Sequence, residues 1–202
     1  MRRLANLLSL GAVAVALAGC GENPYHGKDI SGLMPPLAFE LIDETGEPVS
    51  EEIFAGRPVA LYFGFSHCPD ICPTTLARLT AAARRLPEPL RQRLQLGFVS
   101  VDPERDRPEQ LDRYTAAFSE RMIGLTGSQQ QLKRLTRRYR VTYGYEQPRP
   151  DGSYDVSHSS AIFLFDAELQ PRLMLLDDLT VDQLVHDMQL VLEPVGQAPR
   201  QG

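Results

Sequence analysis

Two of the three cysteines in this 202-residue chain, Cys68 and Cys72, are separated by only three residues. They lie in residues 65–73 (FSHCPDICP), between an apolar run typical of a strand and a segment with helical spacing. A close pair of thiols at this position can form a structural disulfide, exchange disulfides with another protein or bind a soft metal ion. The dipole of the following helix is expected to lower the pKa of the thiols and favour the thiolate.

A second group of polar residues, VSHSS at residues 156–160, precedes a late predicted strand. Sites in open α/β sheets form beyond the carboxyl ends of strands. If the late strand pairs beside the first buried strand, His158 can reach the two sulfurs. Considered alone, a loop histidine bonded to a backbone carbonyl is the simpler interpretation of His158.

The elements that must position these residues alternate between strand and helix patterns. An almost continuous apolar run such as residues 58–65 (PVALYFGF) is typical of a strand buried on both faces. Alternation of this kind predicts an α/β sheet with helices on both faces. We predict strands at 37–42, 58–65, 94–101, 161–165 and 172–176, helices at 74–86, 108–118, 128–139 and 180–192, and a hairpin over 143–156.

The N-terminus has the features of a bacterial lipoprotein signal. A basic start, Met1–Arg3, precedes 16 residues without charge, which is shorter than the ~20 needed to span a bilayer. The sequence LAGC that ends at Cys20 resembles a lipobox, in which the cysteine is lipidated and becomes the new N-terminus. A short membrane anchor with an incidental cysteine is the alternative.

Composition excludes several classes of protein. Hydrophobic residues make up 43% of the chain and charged residues 23%, which is typical of a globular protein and not of a disordered one. The formal charge is −5 with only two lysines, so the basic surface needed for nucleic acid binding is missing. Three cysteines are also too few for a small scaffold built from disulfides.

Three segments together resemble the Sco/SenC family. They are, in order, YFGFSHCPDICP, FVSVDPERD and VSHSSAIFLFD. The family consists of copper-binding, thioredoxin-fold proteins associated with assembly of the binuclear copper centre of cytochrome c oxidase. The resemblance covers residues 37–192 and implies a thioredoxin-like α/β fold, with a central mixed sheet flanked by helices and an inserted hairpin.

The resemblance also implies which residues bind the metal. Cys68, Cys72 and His158 correspond to the copper ligands of the family, and Asp70 and Asp102 match positions with less defined roles near the site. The simpler interpretation of Asp70 is an acid that complements the helix dipole, and that of Asp102 is a turn residue. Two thiolates and one imidazole suit Cu(I), Cu(II) tolerates a further oxygen ligand, and structural zinc normally has a fourth protein ligand.

The N-terminal signal and the family resemblance together imply the organisation and partners of the protein. We expect a signal peptide at 1–19, a flexible tether at 20–36, a thioredoxin-like copper-binding domain at 37–194 and a disordered tail at 195–202. The protein is expected on the periplasmic side of a bacterial membrane, acting mainly as a metallochaperone for the copper-bearing subunit of cytochrome c oxidase. Because thiols outside the cytoplasm oxidise easily, a thiol reductant such as a thioredoxin-like protein must reopen the Cys68–Cys72 disulfide.

Two other functions are known on the same fold. A thiol-disulfide oxidoreductase using Cys68 and Cys72 as a redox pair remains the alternative, although such proteins typically have two residues between the cysteines. They also carry a cis-proline before a late strand, and residues 153–161 contain no proline. A thiol peroxidase is disfavoured because neither cysteine has the PxxxTxxC pattern: the corresponding positions are Leu61 and Phe65 or Phe65 and Pro69.

Overall fold

A computed structural model describes residues 23–193, and a mixed sheet forms its centre. The strands are β1 (Lys28–Asp29), β2 (Glu40–Asp43), β3 (Pro48–Ser50), β4 (Val59–Gly64), β5 (Gln95–Ser100), β6 (Met122–Thr126), β7 (Tyr143–Tyr145), β8 (Val156–His158), β9 (Ile162–Phe165) and β10 (Pro171–Leu175). The helices are α1 (Ile71–Arg85), α2 (Glu88–Arg93), α3 (Pro108–Ala116), α4 (Gln129–Arg138) and α5 (Val181–Leu192), with a 3-10 turn at Glu51–Phe54.

Eight strands form the main sheet, in the order β1-β10-β9-β4-β5-β6-β2-β3. The central strands β4, β5 and β6 are parallel, and the neighbours on either side are antiparallel. Every residue of β4 and β5 is buried, as the continuous apolar runs predict. The strands β7 and β8 form a separate hairpin between α4 and β9. The predicted α/β class, with a central mixed sheet and an inserted hairpin, is confirmed.

Helices cover both faces of this sheet. Tyr114 of α3 contacts Phe98 of β5, whereas Tyr139 at the end of α4 contacts Phe163 of β9. Phe98 and Ile162 both pair with Tyr62 of β4, so their side chains lie on the same face of the sheet. Phe163 follows Ile162 and therefore points to the opposite face. The helices α1 and α5 also contact each other, and α5 begins with a Thr180 capping box.

The start of the folded domain differs from the prediction. The strand β1 pairs with β10, and Ile30 is 1% exposed in the core, so the described part of the predicted 20–36 tether packs on the domain. This segment is held on the domain by its backbone hydrogen bonds to the sheet edge and by burial of the apolar side chain of Ile30. The predicted signal peptide, Cys20 and the predicted tail at 195–202 lie outside the described residues. Among the helices of residues 23–193, none has the length and apolar character needed to cross a bilayer.

Two further differences concern elements of the centre. The strand β6 was not predicted, although it pairs with β5, because its five residues are short and interrupted by Gly124. A Cβ atom at Gly124 would lie 3.1 Å from Cβ of Leu111, so glycine permits α3 to approach the strand. The helix α1 begins at Ile71 instead of at the predicted residue 74, so Cys72 and Pro73 both lie in its first turn. Proline is tolerated in a first turn because its missing N–H has no intrahelical partner there.

Candidate metal centre

The two cysteines lie at the carboxyl end of the central strand β4, where α1 begins. Cys68 is half-buried in the loop between them, and Cys72 is fully buried in the first turn of the helix. The backbone N–H of Cys72 donates a hydrogen bond to Sγ of Cys68 at 3.3 Å, which holds the Cys68 sulfur against the first turn of α1. Both cysteines are free thiols in the structure.

His158 completes the cluster from a distant part of the sequence. It is the last residue of β8, and its Nε2 lies 3.0 Å from Sγ of Cys72. One ligand atom from each of Cys68, Cys72 and His158 lies within 4.8 Å of the other two. The strand β9 explains this meeting, because Ile162 is aligned with Tyr62 near the end of β4. The structure therefore brings together the three residues that the sequence singled out.

The contact of the second ring nitrogen, Nδ1, determines the tautomer of His158. Nδ1 lies 3.0 Å from the carbonyl oxygen of Ser159, and a carbonyl only accepts hydrogen bonds. We therefore assign the proton to Nδ1, which leaves the lone pair of Nε2 to accept from the thiol of Cys72. Metal-binding histidines are oriented by this type of backbone contact through the other ring nitrogen.

Burial controls the protonation of both groups. It raises the pKa of the Cys72 thiol well above its usual range, and the neighbouring Cys68 raises it further. The expectation of a lowered pKa is wrong for Cys72, because loss of hydration on burial raises it. Burial lowers the pKa of His158, so its imidazole is neutral at pH 7. A metal ion that binds Cys72 as thiolate must therefore displace its proton.

Two aromatic residues pack against the cluster and exclude water from it on one side. The rings of Tyr62 and Phe65 meet the imidazole of His158 edge to face, with centroids 6.1 and 5.7 Å away. The hydroxyl of Tyr62 is buried, and among the described residues it has no hydrogen-bond partner. Burial raises its pKa, and the adjacent Cys72 adds to the shift. This unpaired donor beside the sulfurs suits a site in which a thiolate carries negative charge.

A buried carboxylate, Asp106, holds the loop that leads to Cys68. It accepts hydrogen bonds from the backbone N–H of Ser66 at 2.8 Å, from the Ser66 hydroxyl at 2.6 Å and from the Ser100 hydroxyl at 2.5 Å. These contacts join the ends of β4 and β5 below the cysteines. Sequence reasoning missed this role, although Asp106 ends the DPERD segment that carried the resemblance.

Asp102 holds the other half of the site in place. It is fully buried, accepts a hydrogen bond from the Tyr154 hydroxyl at 2.8 Å and pairs with Nε of Arg105. The guanidinium of Arg105 lies 3.7 Å from the ring centroid of Tyr154 and 5.6 Å from that of Phe65. Arg105 thus connects the hairpin that carries His158 to the loop that carries Cys68.

The two aspartates singled out from the sequence therefore have different surroundings. Asp102 is a turn residue, as its simpler interpretation holds, and it is also the anchor of the Tyr154 contact. Asp70 occupies the N-cap position of α1 with an exposed side chain, 3.4 Å from the Thr74 hydroxyl. Neither aspartate belongs to the cluster of three potential ligands that the described residues form at this edge.

The donor set decides which metal ions fit. Two sulfurs and one imidazole nitrogen in a dry aromatic pocket suit a soft ion of low coordination number. Within the described part of the chain, the cluster has no fourth protein ligand of the kind that structural zinc sites use. The residues present therefore fit copper, with Cu(I) favoured by the thiolates and Cu(II) by the imidazole.

Comparison with known proteins gives one consistent family. A family model described as SCO1/SenC matches residues 35–193. The protein "SCO2 homolog, mitochondrial" of Mus musculus is 43% identical over 131 residues, which cover 64% of this chain and 51% of that protein. The chain spans about half the length of this relative and of similar mitochondrial relatives, at 51%, 43% and 49%.

Solved structures with the same architecture agree. Apo Sco1 of Thermus thermophilus is 36% identical with a TM-score of 0.75, over 84% of this chain and 98% of that one. Arabidopsis thaliana ScoI, solved with copper bound, is also 36% identical with a TM-score of 0.68, over 74% of this chain and 92% of that one. The thioredoxin-like arrangement expected from the sequence is therefore present.

Proposed function

The chain belongs to the SCO1/SenC family, and from this membership we propose that it is an extracytoplasmic copper-binding protein serving assembly of cytochrome c oxidase. The observation that carries the proposal is the convergence of Cys68, Cys72 and His158 within 4.8 Å at one edge of the sheet. A relative of the same fold, Arabidopsis ScoI, was solved with copper bound, which supports copper as the metal.

Three residues would hold the copper, and each has a separate task. Cys68 and Cys72 supply the thiolate ligands, and His158 supplies Nε2, already oriented by its contact to Ser159. Copper, when bound, would be a soft ion held by the deprotonated thiols and the imidazole. It is the cargo of the protein. Because the Cys72 thiol is protonated in the metal-free state, loading releases a proton to water or to the copper donor.

The same two sulfurs make the site sensitive to oxidation. Oxidation joins Sγ of Cys68 to Sγ of Cys72 and releases two protons and two electrons to an oxidant. The disulfide has no thiolate to offer, so copper is lost until a thiol reductant returns two electrons and two protons by disulfide exchange. A thioredoxin-like partner outside the cytoplasm would supply them.

Disulfide exchange itself remains the second candidate function. The observation in its favour is the unequal exposure of the thiols, because Cys68 is half-buried and Cys72 is fully buried. An accessible thiol that attacks and a buried thiol that resolves the mixed disulfide are the arrangement such chemistry needs. In this function the protein would keep the copper-binding cysteines of the oxidase subunit reduced.

The N-terminal residues complete the proposal. We place a cleaved signal peptide at 1–19 and a lipid on Cys20, which would hold the folded domain at the periplasmic face of a bacterial membrane. There it would meet its partner, the copper-bearing subunit of cytochrome c oxidase. We retain 195–202 as a tail outside the domain.

Titration of the full chain with Cu(I), in its reduced and disulfide forms, tests this function. We expect about one Cu(I) per anaerobically reduced protein and none for the Cys68–Cys72 disulfide, because the thiolates are the soft ligands. An Asp70→Asn variant is a matched control, since it changes an exposed residue between the cysteines without touching a ligand. Undiminished Cu(I) binding by the disulfide form would refute the proposal.

A further inference from the structure

Two histidines outside the cysteine site contact each other where the N-terminal segment meets α5. His26, just before β1, and His186, on α5, have ring centroids 5.0 Å apart at an angle of 63°. Both imidazoles are exposed to solvent. They are 160 positions apart in the sequence and come from two different elements, so their contact is a property of the fold and not of local spacing.

A buried carboxylate fixes the position of this pair. Asp187 is fully buried, and its two oxygens accept hydrogen bonds from the backbone N–H of His26 at 3.0 Å and of Gly27 at 2.6 Å. A Cβ atom at Gly27 would lie 2.8 Å from the Leu175 side chain and 3.1 Å from Asp187, so the absence of a side chain leaves room for this close approach. The main chain of His26 is thereby held against the helix that carries His186.

Each histidine ring has one nitrogen in contact with a neighbouring polar group, and the contact shows which nitrogen holds the lone pair. Nε2 of His186 lies 3.1 Å from the carbonyl oxygen of Pro24, so it carries the proton and leaves the lone pair on Nδ1. Nδ1 of His26 accepts a long hydrogen bond, 3.4 Å, from Nε2 of Gln183, so the lone pair of this ring lies on Nδ1 and a cation would replace the Gln183 contact there. A ring N–H donated to a backbone carbonyl, as in His186, is a contact that orients metal-binding histidines.

The chemistry of this cluster differs from that of the cysteine site. His26, His186 and Asp187 each place a ligand atom within 4.8 Å of the other two. A carboxylate has about four lone-pair sites, so Asp187 can accept two backbone hydrogen bonds and still coordinate an ion. Two imidazoles and a carboxylate without sulfur suit borderline divalent ions such as Cu(II) and Zn(II), and do not suit Cu(I).

The register of the strands places this cluster on the same edge as the cysteines. Near the carboxyl end of β4, Tyr62 pairs with Ile162 of β9, which pairs in turn with Leu175 of β10. The neighbouring residue of β10, Met174, pairs with Lys28 at the start of β1. The chain before β1 therefore emerges at the carboxyl end of β4, three strands away. At a spacing of about 4.8 Å per strand, the two clusters are separated by roughly 14 Å across the sheet.

We infer that His26, His186 and Asp187 form a second metal site, which binds one borderline divalent cation. Its ligands are independent of Cys68, Cys72 and His158, so the inference does not rest on the proposed function. The cation would link the segment that follows residues 1–22 to α5, and so fasten the N-terminal entry of the domain.

The test uses a background in which the first site cannot bind metal. The full chain with Cys68→Ser, Cys72→Ser and His158→Ala is titrated with Cu(II) alone, after circular dichroism has verified its fold. We expect about one bound Cu(II) whose electron paramagnetic resonance spectrum shows coupling to imidazole nitrogen. Adding His26→Ala or His186→Ala should weaken binding by about tenfold or more.

The matched control is His67→Ala in the same background, since His67 is also exposed but lies outside the pair. This variant should bind Cu(II) as the background protein does. A parallel titration with Zn(II), followed by hydrogen exchange, should show stronger protection of the backbone N–H groups of His26 and Gly27. Absence of Cu(II) binding, or binding that survives both His26→Ala and His186→Ala, would overturn the inference.

Discussion

His158 and Cys72 are both neutral, and one hydrogen bond joins them. The imidazole is fixed with Nδ1 on the Ser159 carbonyl, and the Cys72 thiol donates toward Nε2 across 3.0 Å. Burial disfavours the charged form of each group, raising the pKa of Cys72 and lowering the pKa of His158. This pair is therefore preorganised but uncharged before metal binds, and a bound metal ion would supply the charge that stabilises the Cys72 thiolate.

The lowered pKa of His158 makes stability depend on pH. Below the ordinary histidine pKa of about 6.5, the unfolded chain binds a proton that the folded site refuses, so the free energy of unfolding falls as pH falls. We expect this loss between pH 7 and pH 5 in reduced, metal-free protein, and a smaller loss in His158→Gln. Urea unfolding at both pH values measures it. Equal losses in the two proteins would show that His158 is not protected from protonation.

The contact between β4 and α1 determines where the buried sulfur lies. Gly64 is the last residue of β4, and a Cβ atom there would be 2.8 Å from Sγ of Cys72 and 3.0 Å from Phe98. The helix can approach the strand this closely only because Gly64 has no side chain. On the other side, the hairpin β7–β8 that carries His158 is held by Tyr154, Asp102 and Arg105.

Substitution of Gly64 by alanine should therefore affect both stability and metal binding. Gly64→Ala overpacks the site, and we expect a loss of about 1–3 kcal/mol in the free energy of unfolding together with weaker Cu(I) binding. Gly97→Ala is the control, because its Cβ would lie 2.6 Å from Leu61 on the other face of the sheet. Chemical denaturation and competition with a Cu(I) chelator measure the two effects. If both variants lose copper affinity equally, Gly64 has no specific role at Cys72.

Across the whole molecule, the sheet edge gathers groups that are distant in sequence. Cys72 and His158 are 86 positions apart, and they meet because β9 lies directly beside β4. The same edge receives the N-terminal segment through β1 and β10. A protein tethered by its N-terminus would thus carry its metal centre near the edge at which the tether joins the domain.

The proposed anchor predicts a defined chemical change. Cys20→Ser removes the thiol that would accept the lipid, so the mature protein should lose the acyl mass and leave the membrane fraction. Cys68→Ser is the control, because it removes a thiol of the metal centre and should keep the lipid. Mass spectrometry of the N-terminal peptide and membrane fractionation check both results. Membrane-bound wild-type protein with an unmodified Cys20 would exclude this anchor.

Local patterns were sufficient for some parts of the molecule and insufficient for others. The apolar runs of β4 and β5 and the caps of α4 and α5 identify these elements because the signal lies within a few residues. Strand β1 depends on pairing with β10, and strand β6 on its place between β5 and β2, so neither has a strong local signal.

The same distinction applies to the candidate site. The convergence of Cys68, Cys72 and His158 was predicted from the motifs and their place in the sheet. The direction of the Cys72 pKa shift was not, because burial by Tyr62 and its neighbours is a property of tertiary packing. The period of a strand does place Tyr62 and Gly64 on one face, which is the signal that would have linked both to Cys72.

The most direct test of the account is metal titration of wild type and His158→Ala, followed by thiol trapping of both proteins. A copper site built from three protein ligands loses a donor in this variant, whereas disulfide exchange needs only the two sulfurs. We predict that His158→Ala loses stable Cu(II) binding and binds Cu(I) more weakly, while the Cys68–Cys72 disulfide still forms. Binding of both copper states at wild-type strength would contradict a copper centre that includes His158.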